Sequence, residues 1–207
     1  MIIKTIPTGA IQANSYLISS GADAVLVDCG AAEKRLLDAL EGLKLHAILL
    51  THGHWDHILG VAELKKRTGA AVVIHRLDAP RLTDPALSRA GSYGIAQEKV
   101  SGDIMPKDGE ILRYGNIEIR VIHTPGHTPG GLCYRIDRSI FTGDTLFFET
   151  CGRIDFPGGD WSAMRESLFR LRDLDGDFDI YPGHDRATTL AHERVHNRYM
   201  QATNFEP

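Results

Sequence analysis

Cysteine is scarce: Cys29, Cys133 and Cys151 are the only three in 207 residues, they lie far apart, and no C-x-x-C pair occurs. That excludes a disulfide framework and a cysteine-only zinc knuckle, and reduced thiols are expected. Long hydrophobic runs are missing as well. None reaches the roughly 18 residues needed to cross a bilayer, and the opening MIIKTIPTG has neither the basic region nor the apolar stretch of a secretory signal. No membrane association is expected, and a cytoplasmic location is. Positive charge is not in surplus either: 23 Lys and Arg against 27 Asp and Glu give a formal net charge of -4. Without a basic stripe to neutralise a phosphate backbone, nucleic acid is not an expected partner. Linkers, charge blocks, low-complexity tracts and short repeats are absent too, so residues 1–207 should share one core as a single domain.

Against these absences stand ten histidines, several of them clustered, and neutral imidazole is the commonest transition-metal ligand. Around them, alternating apolar and β-branched residues predict strands near 2–6, 15–20, 24–28 and 46–50, with a helix at 33–41. A helical stripe over 58–68 leads into a strand at 71–75, a second β-α-β unit. From 76 to 107 prolines and glycines interrupt every pattern, leaving short helices and loops. Strands follow near 110–112, 117–123, 132–136 and 139–142, with Gly115-Asn116 and Asp137-Arg138 as turns. A helix at 161–171, a strand at 180–181 and a helix from Leu190 end the series.

The densest feature is Thr51-His52-Gly53-His54-Trp55-Asp56-His57, placed between a strand end and a helix start. On an extended segment His52 and His54 point the same way by the two-residue period, while the turn into the helix re-aims Asp56 and His57. One segment can then serve two neighbouring metals. A polar loop with chance histidines is the bland alternative, and it leaves closely spaced imidazoles unsatisfied unless something binds them. His127 in P-G-H-T, Asp144 in T-G-D-T and His184 in P-G-H-D each follow a glycine at a comparable strand-to-loop junction.

The ordered set H-x-H-x-D-H, G-H-T, G-D-T and P-G-H resembles the metallo-β-lactamase superfamily over nearly the whole chain. The resemblance implies an α/β fold, the four-layer αβ/βα sandwich, with two mixed sheets packed together, helices outside and metals at one edge. It implies that His52, His54 and His127 bind one metal, that Asp56, His57 and His184 bind a second, and that Asp144 bridges them. Asp28, in V-D-C-G, resembles a turn of the family that orients a ligand from behind; Cys29 stands there in place of proline, close to the expected metals. Two divalent ions are implied, zinc by default, with iron or manganese equally suited to imidazole and carboxylate. The implied activity is hydrolysis by a hydroxide bridging the ions, with Asp56 as the catalytic residue that orients it and passes a proton.

Gly143-Asp144-Thr145-Leu146-Phe147 and the run from Gly152 through Arg153 to Asp160 resemble the small glyoxalase II-like (hydroxyacylglutathione hydrolase-like) branch. This implies a small-molecule thioester substrate such as S-lactoylglutathione. Larger members carry an added helical domain for glutathione, which the residues after His184 are too few to build, so Arg153 and residues 149–160 either line the pocket or form a structural loop around a buried Arg-Asp pair. A persulfide dioxygenase with one iron is the second reading, and a non-catalytic metal-binding or redox protein the third. Lactam hydrolysis is set aside because the long extra elements of that branch are missing.

Other features have plainer readings. His192-Glu193-Arg194-Val195-His196 fits the zinc-protease pattern on a helix, but after His196 only Glu206 could complete the ligands. His46 and His75 read as hydrogen-bonded structural histidines, His123 as a residue near His127 able to support it, and Trp55 and Tyr93 as core packing ahead of the alternative, walls of a pocket.

Overall fold

The computed structural model describes residues 1–201. Strands β1 (Ile2–Thr8), β2 (Ala13–Ser20) and β3 (Asp23–Val27) form an antiparallel meander, which β4 (Lys44–Leu49) and β5 (Ala71–Val73) extend in parallel, in the order β1-β2-β3-β4-β5. Parallel neighbours need crossovers. Helix α1 (Lys34–Ala39) supplies the first, and α2 (Trp55–Ile58) with α3 (Val61–Thr68) the second, as the β-α-β reading anticipates.

In the second half β6 (Ile111–Tyr114), β7 (Ile117–His123), β8 (Leu132–Ile136) and β9 (Ser139–Gly143) run antiparallel. The expected two-residue turns join them: Tyr114 pairs with Ile117 and Ile136 with Ser139, and Gly115 and Asp137 take positive φ of 57° and 51°. A separate hairpin, β10 (Leu146–Phe147) with β11 (Thr150–Cys151), precedes helix α4 (Trp161–Arg172). Strand β12 (Asp179–Pro182) then lies parallel to β9, β13 (Thr188–Thr189) closes the edge, and α5 (Leu190–His196) follows. The sheet order is β13-β12-β9-β8-β7-β6.

Alternation along the strands builds the layers. In β3, Val25 and Val27 pack with Ala47 and Leu49 of β4 against Ile119, Val121, Tyr134 and Phe141 of the second sheet. The intervening Ala24, Leu26 and Ile48 face the other way, onto Leu36 of α1 and Leu64 of α3. Behind the second sheet, Ile122, Cys133, Ile140 and Ile180 meet Met164, Leu168 and Leu171, a stripe at helical spacing on α4. Asp160 starts that helix by accepting the Ala163 N–H at 2.9 Å. The result is the αβ/βα sandwich.

The helix expected over 58–68 is divided. Gly60 donates to Cys29 O at 2.9 Å, and a Cβ there would lie 2.6 Å from the Ala31 backbone. The close approach breaks the helix and leaves α2 as a single turn carrying Asp56 and His57. No helix among the described residues is long and apolar enough to cross a membrane.

Candidate metal centre

All seven sequence-predicted residues meet at one edge of the sandwich, at the C-terminal ends of strands. His52, His54, Asp56 and His57 follow β4, which is buried on both faces and so fixes where the segment emerges. His127 comes from the loop after β7, Asp144 directly follows β9, and His184 follows β12. In each of three trios, one donor atom per residue lies within 4.8 Å of the others: His52, His54 and His127; Asp56, His57 and His184; His52, His57 and Asp144. Asp144 faces both sides, with Oδ1 3.4 Å from His57 Nε2 and Oδ2 3.5 Å from His127 Nε2 and 3.7 Å from His184 Nε2. Its neighbour across the strands is Gly183, where a Cβ would sit 2.3 Å from Asp144 Oδ1 and 2.8 Å from His57 Cε1. Only glycine leaves room for the cluster.

Hydrogen bonds behind the cluster decide which atom three of the histidines present. His57 Nδ1 donates to Asp28 Oδ2 at 2.8 Å, leaving Nε2 to face Asp56 and Asp144. Asp28 also accepts from Thr51, through the backbone N–H at 2.8 Å and the hydroxyl at 2.7 Å. That hydroxyl, its proton committed, accepts from His52 Nδ1 at 3.1 Å, so His52 too presents Nε2. His127 Nδ1 donates to Arg153 O at 2.7 Å, turning its Nε2 toward His54 Nδ1 at 2.8 Å. Asp28 thus orients one histidine in each outer trio, as its motif implied.

The electrostatics favour a cation. Burial opposes charge on His57, but Asp56, Asp144 and Asp28 outweigh it and hold this imidazole well above its ordinary pKa. Burial also opposes ionisation of Asp56 and Asp144, yet His57 and His184 keep Asp56 well below the carboxylate range, and His57 with His127 brings Asp144 down to about 2. Burial first, then neighbouring imidazoles, pushes His52 well below its usual value and His54 to about 2. His52 Nε2, His57 Nε2 and Asp144 Oδ1 are buried with no hydrogen-bond partner, at a cost of ~1–3 kcal/mol each. Three unsatisfied donor atoms converging on one another fit a metal, and the cluster can hold metal ions.

A cavity of about 420 Å³ opens above, with His54, Asp56, His127, Asp144 and His184 at its base and Trp55, Phe147 and Phe156 among its walls. Of the two readings for Trp55 and Tyr93, cavity wall and core packing, the first holds: both line this cavity, their ring centroids 5.6 Å apart. The glycine- and proline-broken stretch 76–107 folds back over α2 and carries Tyr93 there. Arg153 also lines the cavity, and its Asp155 pair, at 2.6 Å, is exposed on both sides (57% and 61%) rather than buried. Cys29 turns away from the histidine–aspartate cluster into the helix-facing core, where burial pushes its thiol pKa up and keeps it protonated.

The remaining histidines are accounted for. His46 bonds Asp23 at 2.6 Å. His75 and His123 stack at 4.3 Å, and His123 bonds Pro129 O at 3.0 Å, supporting the His127 loop. In the H-E-x-x-H stretch Glu193 points inward, accepting from Glu149 N, Thr188 Oγ1 and Asn197 Nδ2, so it is a structural carboxylate. Glu206 lies outside the described residues.

One important residue had no sequence signal. Asp78, fully buried, accepts from Gly53 N at 2.8 Å and Gly130 N at 2.9 Å, tying the His52–His54 segment to the His127 loop. In R-L-D-A-P it reads as an ordinary turn residue.

The comparisons agree with this geometry. The metallo-beta-lactamase superfamily model matches residues 8–184. An uncharacterized protein of Aquifex aeolicus is 35% identical, covering 96% of this chain and 97% of its own length. The hydroxyacylglutathione hydrolase GloC of Haemophilus influenzae is 32% identical over 98% and 99%, and the hydroxyacylglutathione hydrolase of Rhodopseudomonas palustris 40% identical over 82% of this chain and 61% of its own. Among solved structures, the BLEG-1 B3 metallo-beta-lactamase superposes with a TM-score of 0.92 at 32% identity, covering 97% of this chain and 100% of its own. TTHA1623 in a di-iron-bound form gives 0.85 at 35%, covering 95% and 99%, and ETHE1 from Myxococcus xanthus 0.78 at 30%, covering 96% and 84%. This chain covers the whole of BLEG-1, a structure described as a B3 metallo-beta-lactamase, so length alone does not distinguish the two. With the profile, the full-length relatives and the ligand cluster in agreement, this chain belongs to the metallo-β-lactamase superfamily.

Proposed function

We propose that the protein is a dinuclear metal-dependent hydrolase acting on glutathione-type thioesters, S-lactoylglutathione first among them. The reading rests on one observation: two outer trios of donors share the single carboxylate of Asp144 at the base of a cavity with aromatic and cationic walls. His52, His54 and His127 would hold one divalent ion, Asp56, His57 and His184 the other, and Asp144 both, with zinc, iron and manganese all compatible.

When bound, such ions acidify water and polarise a carbonyl. The chain supplies the rest. Asp56, kept ionised by His57 and His184 and open to the cavity, orients the attacking water and takes its proton at a carboxylate oxygen. Trp55, Phe147 and Phe156 hold the organic part of the substrate and exclude bulk solvent. No protein nucleophile is required, and a thiolate departs without strong protonation. We read residues 1–207 as one domain because the ligands come from both sheets, and place it in the cytoplasm, which suits its free, mostly buried cysteines.

Metal analysis of the purified protein together with S-lactoylglutathione hydrolysis tests this; a fully loaded centre with zero thioester turnover removes the substrate assignment. Similarity to ETHE1 favours one second reading, a mononuclear iron persulfide dioxygenase. One iron per chain with oxygen uptake on glutathione persulfide would establish it instead.

A further inference from the structure

The cavity wall carries a cation with no direct hydrogen-bond or ion-pair partner among the described residues. Arg89 lies over the Phe156 ring, its guanidinium carbon 3.8 Å from the centroid, and Arg153 lies over the same ring at 3.9 Å. Two positive groups sharing one aromatic ring repel each other, and only one is paired directly: Arg153 binds both Asp155 oxygens at 2.6 Å, while Arg89 feels that carboxylate only at a distance. Arg89 makes no side-chain hydrogen bond or ion pair with any described residue, and its Nε is buried without a partner. A guanidinium is a fork of five donors, so an unpaired one on a cavity wall is poised for an acceptor from outside. Its backbone points the same way. Arg89 has φ of 72°, a conformation rare for a non-glycine residue and of the kind that concentrates at ligand-binding positions. Phe156 in turn meets the His54 ring edge-on at 5.7 Å, placing this cation one ring away from the metal centre.

We propose that Arg89 is the substrate's carboxylate receptor, and that the protein therefore selects thioesters whose thiol part bears a carboxylate over neutral ones of the same acyl group. This rests on the thioester reading. Arg89 would bind the carboxylate through charge-assisted, forked hydrogen bonds, with Phe156 fixing the plane of the guanidinium.

The test compares kcat/KM for S-lactoylglutathione and for the neutral S-lactoyl-N-acetylcysteamine. In Arg89→Met, which keeps the side chain's bulk over Phe156, the ratio of the two should fall ~10–100-fold, mainly through KM for the anionic substrate. Arg89→Lys should recover part of the ratio, because the charge returns without the fork. The wild-type KM for S-lactoylglutathione should rise with ionic strength while that for the neutral thioester stays flat. An unchanged ratio in Arg89→Met, with the wild type turning over both substrates, overturns the receptor role alone. Equal losses on both substrates also overturn it, since Arg89 would then be a wall residue only. A metal-loaded wild type inactive on both overturns the thioester reading itself.

Discussion

Asp28 and His57, 29 residues apart, meet through a 2.8 Å hydrogen bond between Oδ2 and Nδ1, both side chains almost wholly inaccessible to solvent. Thr51 extends the same carboxylate's reach to His52. Asp28→Asn keeps the shape but replaces one acceptor with an amide donor facing other donors, so one histidine must turn or change tautomer. Metal affinity should fall ~10–100-fold, the usual cost of losing a group behind a ligand. Chelator competition on the folded variant measures this. Thr51→Val, which releases His52 while leaving His57 held, should show a smaller loss; wild-type affinity in both variants would remove Asp28 from the metal centre.

His54→Ala removes a donor from one outer trio and leaves Asp56, His57 and His184 intact. Metal content should drop by about one ion per chain, and turnover should fall by more than the ~10–100-fold range typical of supporting groups. Elemental analysis and steady-state rates on the same preparation check both. Full metal content with unimpaired turnover would refute the ligand assignment.

The site was readable because its chemistry is local: four donors lie within six positions, and His127, Asp144 and His184 each follow a glycine at a strand end. The strands of the sandwich were readable for a related reason, since Val25 and Val27 alternate with Ala24 and Leu26 between two buried faces. Two-residue strands such as β10, β11 and β13 are too short to display any period. Asp78 and Arg89 were hidden for a different reason. They sit in a stretch whose path is set by tertiary contacts, such as Asp78 to Gly53 and Gly130, rather than by local pattern. The divided helix before α3 likewise answers to the close approach of Gly60 to Ala31, a contact across the fold.

Glu193 and its flanking histidines separate a motif from a function. Glu193→Ala removes the buried acceptor of Glu149 N and Thr188 Oγ1 and one of the two acceptors of Asn197 Nδ2, which keeps Thr150 O at 3.0 Å, and this should cost ~1–3 kcal/mol of stability. His196→Ala removes only an exposed ring stacked on His192 at 4.4 Å. Metal content and kcat should stay at wild-type values in His196→Ala, and urea unfolding should separate the two variants. Loss of a metal ion in His196→Ala would revive the protease-like pattern.

Asp108 offers a test of electrostatics away from the metals. It accepts from His123 N at 2.9 Å and Arg170 Nη2 at 3.0 Å, clamping α4 to the end of β7. Burial works against its ionisation, but these donors outweigh it and hold the carboxyl below its ordinary 3.8. A lowered carboxylate contributes stability in full above its unfolded pKa and loses it as pH falls through the lower folded value. Asp108→Asn cannot ionise, so the stability gap between wild type and variant should be constant from about pH 7 to pH 5 and shrink below about pH 4. The pair is substantially exposed, 43% and 47%, so added salt should narrow the gap at neutral pH. Urea unfolding of the metal-depleted proteins across this range measures it without interference from metal loss. A gap that persists to pH 3 or widens on acidification would mean that Asp108 acts through its shape and hydrogen bonds, with no contribution from its charge.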